Sequence, residues 1–158
     1  MEFKELMAEF AQAAQIDRID PDEDGCYRFD VDGMIVTLSE VAQTGDLFMW
    51  AEVGELPPEG REALYRTLLE AQYMGRATGG SSLSVDPDSE KVFLHRSDPL
   101  RTLDFEGFKG KLQTFVNVLE VWRRTLVDYR PVAGRQAEVL QAEVNIEREI
   151  SLGNFIRV

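Results

Sequence analysis

Tyr27-Arg28-Phe29-Asp30-Val31-Asp32-Gly33-Met34-Ile35-Val36-Thr37-Leu38 is the stretch that decides the fold class. Apolar and polar residues alternate on both sides of Asp32-Gly33, a dipeptide suited to the positive backbone angles of a two-residue turn. The reading is a β-hairpin that pairs Val31 with Met34, Phe29 with Val36 and Tyr27 with Leu38. Because side chains alternate across a strand, all six share one face, and Arg28, Asp30, Ile35 and Thr37 share the other. A third strand, Leu47 to Val53, follows Gly45-Asp46. It is apolar on both faces, with Leu47, Met49, Ala51 and Val53 extending the core face and Phe48 and Trp50 on the opposite side near Ile35. Either a helix covers that second face or the face awaits a partner.

Working outward, Phe3, Leu6, Met7, Phe10 and Ala14 repeat at the 3–4 spacing of a helix stripe, which predicts a first helix over 2–14. Asp20 to Gly25 is dense in turn formers and reads as a surface loop. Pro57-Pro58 leads into a second helix, about Glu59 to Tyr73, whose Leu64, Tyr65, Leu68, Leu69, Ala71 and Tyr73 spread over roughly 200°. One core needs about half of that, so either the helix sits deep within the monomer or a second subunit covers the far side, and a homodimer is expected. Gly79-Gly80 opens another hairpin, with Leu83 and Val85 before the turn at Asp86-Pro87-Asp88 and Val92, Phe93 and Leu94 after it. Phe105, Phe108, Leu112, Phe115, Leu119, Trp122 and Leu126 then keep a helical rhythm for six turns. Past Pro131, residues 136–150 carry a weaker amphipathic pattern that predicts an accessory helix. The fold class is α+β, in the order α-β-β-β-α-β-β-α, with a mainly antiparallel twisted sheet and a C-terminal accessory helix. Residues 1–130 are read as the domain and 131–158 as its tail.

The 158-residue length fits one domain, and 44% apolar with 29% charged residues is ordinary globular usage. No apolar run approaches the roughly 18 residues of a membrane helix, and no secretory leader is visible, so a cytoplasmic location is expected. The formal net charge of −12 is unevenly placed: residues 1–58 hold three basic and fourteen acidic side chains. That field disfavours nucleic acid and anionic lipid and favours a basic or neutral protein partner. Single Cys26 and single His95 exclude an intrachain disulfide and most zinc schemes. Asp20, Asp22, Asp24 and Gly25 imitate half of a calcium loop, but the ninth and twelfth positions fall on Arg28 and Val31, which cannot close it. The glycines at 75, 79 and 80 match neither phosphate-binding fingerprint. No catalytic residue, metal site or cofactor is expected.

Leu64, Leu68-Leu69, Ala71, Gly75, Gly79-Gly80, Leu83, Val85-Asp86 and Val92-Phe93-Leu94, followed by Phe115, Val116, Asn117 and Trp122, carry a resemblance. Over about residues 1–128 the chain resembles the class I type III secretion chaperones, the Tir chaperone family. Gln72 departs from an asparagine common there, and Ser89-Glu90 replaces the usual glycine of the last hairpin. The resemblance implies a cytoplasmic bacterial homodimer without catalytic activity or ATP hydrolysis. Such a protein keeps a non-globular segment of a secreted effector export-competent, prevents its aggregation and presents it to the export apparatus. It implies partner binding by Phe3, Met7, Phe10, Ile35, Phe48 and Trp50. It implies a dimer interface of Leu64, Tyr65, Leu68, Leu69, Tyr73, Leu83 and Val85. An adaptor or regulator of the same fold with a non-secreted partner is the alternative.

Overall fold

In the computed structural model Asp32 and Gly33 take φ of 53° and 78°, and the Gly33 N–H donates to Asp30 Oδ1 at 2.7 Å. The turn therefore sets the register read from the sequence: Tyr27 opposes Leu38, Phe29 opposes Val36 and Val31 opposes Met34. The structure describes residues 2–129, 153 and 155–157. Their elements are α1 (Phe3–Ala13), β1 (Tyr27–Val31), β2 (Met34–Val41), β3 (Asp46–Glu55), α2 (Arg61–Gln72), β4 (Ser82–Asp86), β5 (Lys91–Pro99), α3 (Phe105–Val127) and β6 (Phe155–Arg157). The strands form one sheet in the order β4-β5-β3-β2-β1-β6. Pairings β1–β2, β2–β3, β4–β5 and β1–β6 are antiparallel. The predicted helix over 136–150 lies outside the described residues. β6 was not foreseen, and it adds a sixth strand from within the tail.

The chain divides into two compact units. The first holds residues 1–51, 96–113 and 149–158. Its core begins with α1, whose stripe of Phe3, Leu6, Met7 and Phe10 is buried, as are Tyr27, Phe29, Val31, Met34, Val36, Leu38, Leu47, Met49 and Ala51 from the strands. Phe10 is the centre of an edge-to-face aromatic cluster, with Phe29 at 4.8 Å, Phe155 at 5.2 Å and Phe108 at 5.7 Å between ring centroids. Such pairs add about 0.5–1.5 kcal/mol each beyond area burial. The Asp98 carboxylate, buried, accepts from Arg96 Nε and Lys111 Nζ, each at 2.6 Å, and so ties the end of β5 to the first turns of α3. Burial pushes its pKa up, but the two cations win and hold it below the ordinary carboxylate value.

The second unit holds residues 52–95 and 114–148. Leu64, Leu68 and Ala71 of α2 are buried there with Leu83, Val92 and Leu94. Trp122 donates its indole N–H to the Ala77 carbonyl at 2.8 Å, which fixes the loop after α2 on α3. Gly79 lies under the same helix: a Cβ built there meets Thr114 Cγ2 at 2.7 Å and Val118 Cγ2 at 3.0 Å, at a φ of +55°. Gly80, at +81°, has open space around it. Gly79→Ala should cost about 2–4 kcal/mol, backbone strain plus overpacking, and Gly80→Ala about 1–2 kcal/mol, strain alone. Denaturant midpoints of the two variants check this, and equal losses would mean that contact with α3 is not what selects glycine at 79.

Candidate partner-binding surface

The sheet of the first unit presents its second face through alternate residues of β1 to β3. Trp50 opposes Thr37 and Phe48 opposes Ser39 across β2–β3, while Arg28 opposes Thr37 and Asp30 opposes Ile35 across β1–β2. Phe48 and Trp50 lie 5.5 Å apart between ring centroids, tilted by 32°. Both are half-buried and Ile35 is 40% exposed. The side of β3 that the sequence assigns to the core, Leu47, Met49, Ala51 and Val53, is buried. An apolar patch of Ile35, Phe48 and Trp50 thus stands on the opposite face, with Asp30 beside it.

Of the six residues expected to touch a partner, Ile35 is exposed and Phe48 and Trp50 are half-buried. Phe3, Met7 and Phe10 are buried in the protomer, Phe10 at 0% exposed. Their stripe was legible, but it is the stripe by which α1 packs on its own sheet. Phe3, for example, meets Tyr27 edge to face at 5.4 Å.

The seven residues assigned to a dimer interface also divide. Leu64, Leu68 and Leu83 are buried and Val85 is half-buried. Tyr65, Leu69 and Tyr73 are exposed, Leu69 at 69%, and Met74 joins them at 85%. Positions 65 and 69 lie four apart on α2 and so stack along one face, and Tyr73 follows directly after its last residue. Arg76 sets its guanidinium 5.1 Å from the Tyr73 ring centroid. Met74 was missed because it falls past the regular spacing: its φ of +57° turns the chain out of the helix.

The other candidate groups serve the structure locally. In the acidic loop, Asp22 accepts from the Asp24 and Cys26 N–H groups at 3.0 and 2.8 Å and pairs with Arg28 at 3.0 Å. Asp20 pairs with Arg18. No three His, Cys, Asp or Glu side chains among the described residues are grouped to hold a metal ion. Burial, then the Asp22 carboxylate, pushes the Cys26 thiol up, away from reactivity. Burial lowers the pKa of His95, so the neutral ring is favoured.

Residues 5–123 match the Tir chaperone protein (CesT) family. The chain belongs to that family. It is a chaperone family of type III secretion and not an enzyme family. A curated Chlamydia pneumoniae protein is 28% identical over 102 residues, 64% of this chain and 77% of its own length. In the ExsC–ExsE complex one chain superposes with a TM-score of 0.67 at 24% identity, covering 85% of this chain and all of its own length. A chain of the HopA1–SchA chaperone–effector complex gives 0.65 at 18% identity, covering 77% and 93%. Both structures share the α+β fold described above. Among the described residues no helix is long and apolar enough to cross a membrane.

The two departures from the Tir chaperone pattern have local uses. Gln72 Oε1 accepts the Leu83 N–H at 3.1 Å, joining the end of α2 to β4. Glu90 takes the left-handed φ of 54° that a glycine adopts freely. Its carbonyl accepts the Leu56 N–H at 2.9 Å, and its carboxylate takes a two-pronged bond from Arg61 at 2.6 and 3.1 Å. These contacts hold a strained residue in place, although an ion pair this exposed adds little to stability.

Proposed function

We propose that this Tir chaperone family member is a homodimer that holds a non-globular segment of a secreted effector on the face formed by Ile35, Phe48 and Trp50. It acts in the bacterial cytoplasm, keeps the segment from aggregating and hands it to the export apparatus. The observation that carries this reading is an apolar patch beside Asp30, on the solvent side of the sheet, within the strongly acidic part of the chain. A patch of that kind suits an extended segment with bulky apolar and basic residues. Residues 1–130 are the chaperone domain in this reading, with the 131–158 tail joined to its sheet through β6. The test is to remove the gene from the native cell and compare the secreted and cytoplasmic proteins. At least one secreted protein that co-purifies with this chain should leave the medium, and should accumulate as aggregate or be degraded inside. An unchanged set of secreted proteins would overturn the reading.

The exposed stripe of Tyr65, Leu69, Tyr73 and Met74 supports a dimer through α2. Light scattering should give about twice the 17.9 kDa chain mass. Leu69→Asp should leave a folded monomer at micromolar concentration, because it places a charge on a solvent-facing site that only a second copy would bury. Leu68→Asp should instead unfold the chain, since Leu68 is buried within the protomer. A dimer that survives Leu69→Asp unchanged would move the interface off this stripe.

A further inference from the structure

β6 is three residues long, and it closes the outer edge of β1: Phe155, Ile156 and Arg157 oppose Val31, Asp30 and Phe29. The attachment has two parts. One is a short backbone ladder, which any extended chain can make. The other is Phe155, 4% exposed, whose ring stands 5.2 Å from Phe10 at 89° and 6.5 Å from Phe29 at 74°. Phe10 keeps Phe29 and Phe108 as edge-to-face partners without it, and β1 keeps its full pairing with β2. The rest of the unit therefore holds together around a socket that one aromatic side chain fills. An edge ladder plus a side-chain socket is the arrangement by which proteins capture extended peptides.

We propose that β6 is a resident occupant of a strand-exchange site. The β1 edge and the Phe10–Phe29 socket take an extended partner segment with a large apolar side chain at the position of Phe155, and docking of β6 and of that segment exclude each other. The proposal deepens the chaperone reading and rests on it: β6 would guard an apolar socket and a bare strand edge until a secreted protein arrives. Charge adds to the choice of partner. The stretch from Asp17 to Asp32, β1 with the loops that flank it, holds seven acidic side chains and two basic ones, Arg18 and Arg28, so a segment carrying lysine or arginine beside its apolar anchor is favoured.

A fluorophore-labelled hexapeptide of residues 153–158 serves as the probe, added to the full-length chain and followed by anisotropy. Phe155→Asp empties the socket by placing a carboxylate on the resident strand, so the peptide should bind this variant at least tenfold more tightly than the unsubstituted chain. The same peptide with alanine for its phenylalanine should not bind. Equal binding to both chains, or no binding to Phe155→Asp, overturns the proposal. If Phe155→Asp does not fold, Phe155→Ala replaces it, and if that variant also unfolds, β6 is part of the folding core and exchange is overturned. No secreted protein enters this assay, so its failure leaves the chaperone reading standing. An unchanged set of secreted proteins after gene removal, with peptide exchange intact, would strike the chaperone reading alone.

Discussion

Phe10→Ala is expected to cost about 3–5 kcal/mol of stability, the range for truncating a fully buried phenylalanine. Phe10 is 0% exposed and is the ring that Phe29, Phe108 and Phe155 all contact. The substitution removes three edge-to-face contacts at once. It also opens a cavity beneath α1 that the rigid strands cannot collapse to fill. Against a total of about 5–15 kcal/mol such a loss is large, and the melting temperature should fall by roughly 10–15 °C. Phe10→Leu, which keeps most of the volume, should lose less than half as much. Calorimetry of the three proteins decides the matter. A loss under about 1 kcal/mol for Phe10→Ala would mean that α1 does not hold its sheet through this ring.

Trp50→Ala is expected to weaken partner binding by roughly thirtyfold or more while the dimer persists. Large aromatics at the centre of an interface commonly cost 2 kcal/mol or more when truncated. Trp50 has the required setting: half-buried, 5.5 Å from Phe48, and on the face opposite the buried Met49 row. Its own contribution to folding should be less than half that of Phe10, because only part of its surface leaves water when the sheet forms. Titration of the captured effector segment against both proteins, beside their melting curves, separates the two roles. Unchanged affinity with a lowered melting temperature would make Trp50 a structural residue and would sink the proposed patch.

Periodicity and turn chemistry are local, and what they carry was legible. Asp32-Gly33 fixes the register of β1 and β2 within two residues, so the division of Tyr27 to Leu38 between two faces needed no tertiary information. Phe105 to Leu126 likewise declared α3 by its spacing. Even the two-sided character of β3 was visible, as was the wide apolar surface of α2.

A periodic stripe shows which residues share a face and is silent about what covers it. The stripe of α1 could meet a partner or its own sheet, and in the protomer Phe3, Met7 and Phe10 are buried. In α2 the same ambiguity resolved residue by residue: Leu64 and Leu68 turned inward and Leu69 outward, although they are neighbours in sequence. The Asp98 triad needs Lys111, thirteen residues away, to converge on a buried carboxylate, and no local rule predicts that meeting. β6 left no signal because three residues are too few for an alternating pattern and no turn joins them to β1. The net charge, the turns and the periods were properties of the chain as written. Which apolar faces stay open to a partner, and which strand edge is closed by the chain itself, followed only from long-range packing, where burial of one surface competes with burial of another.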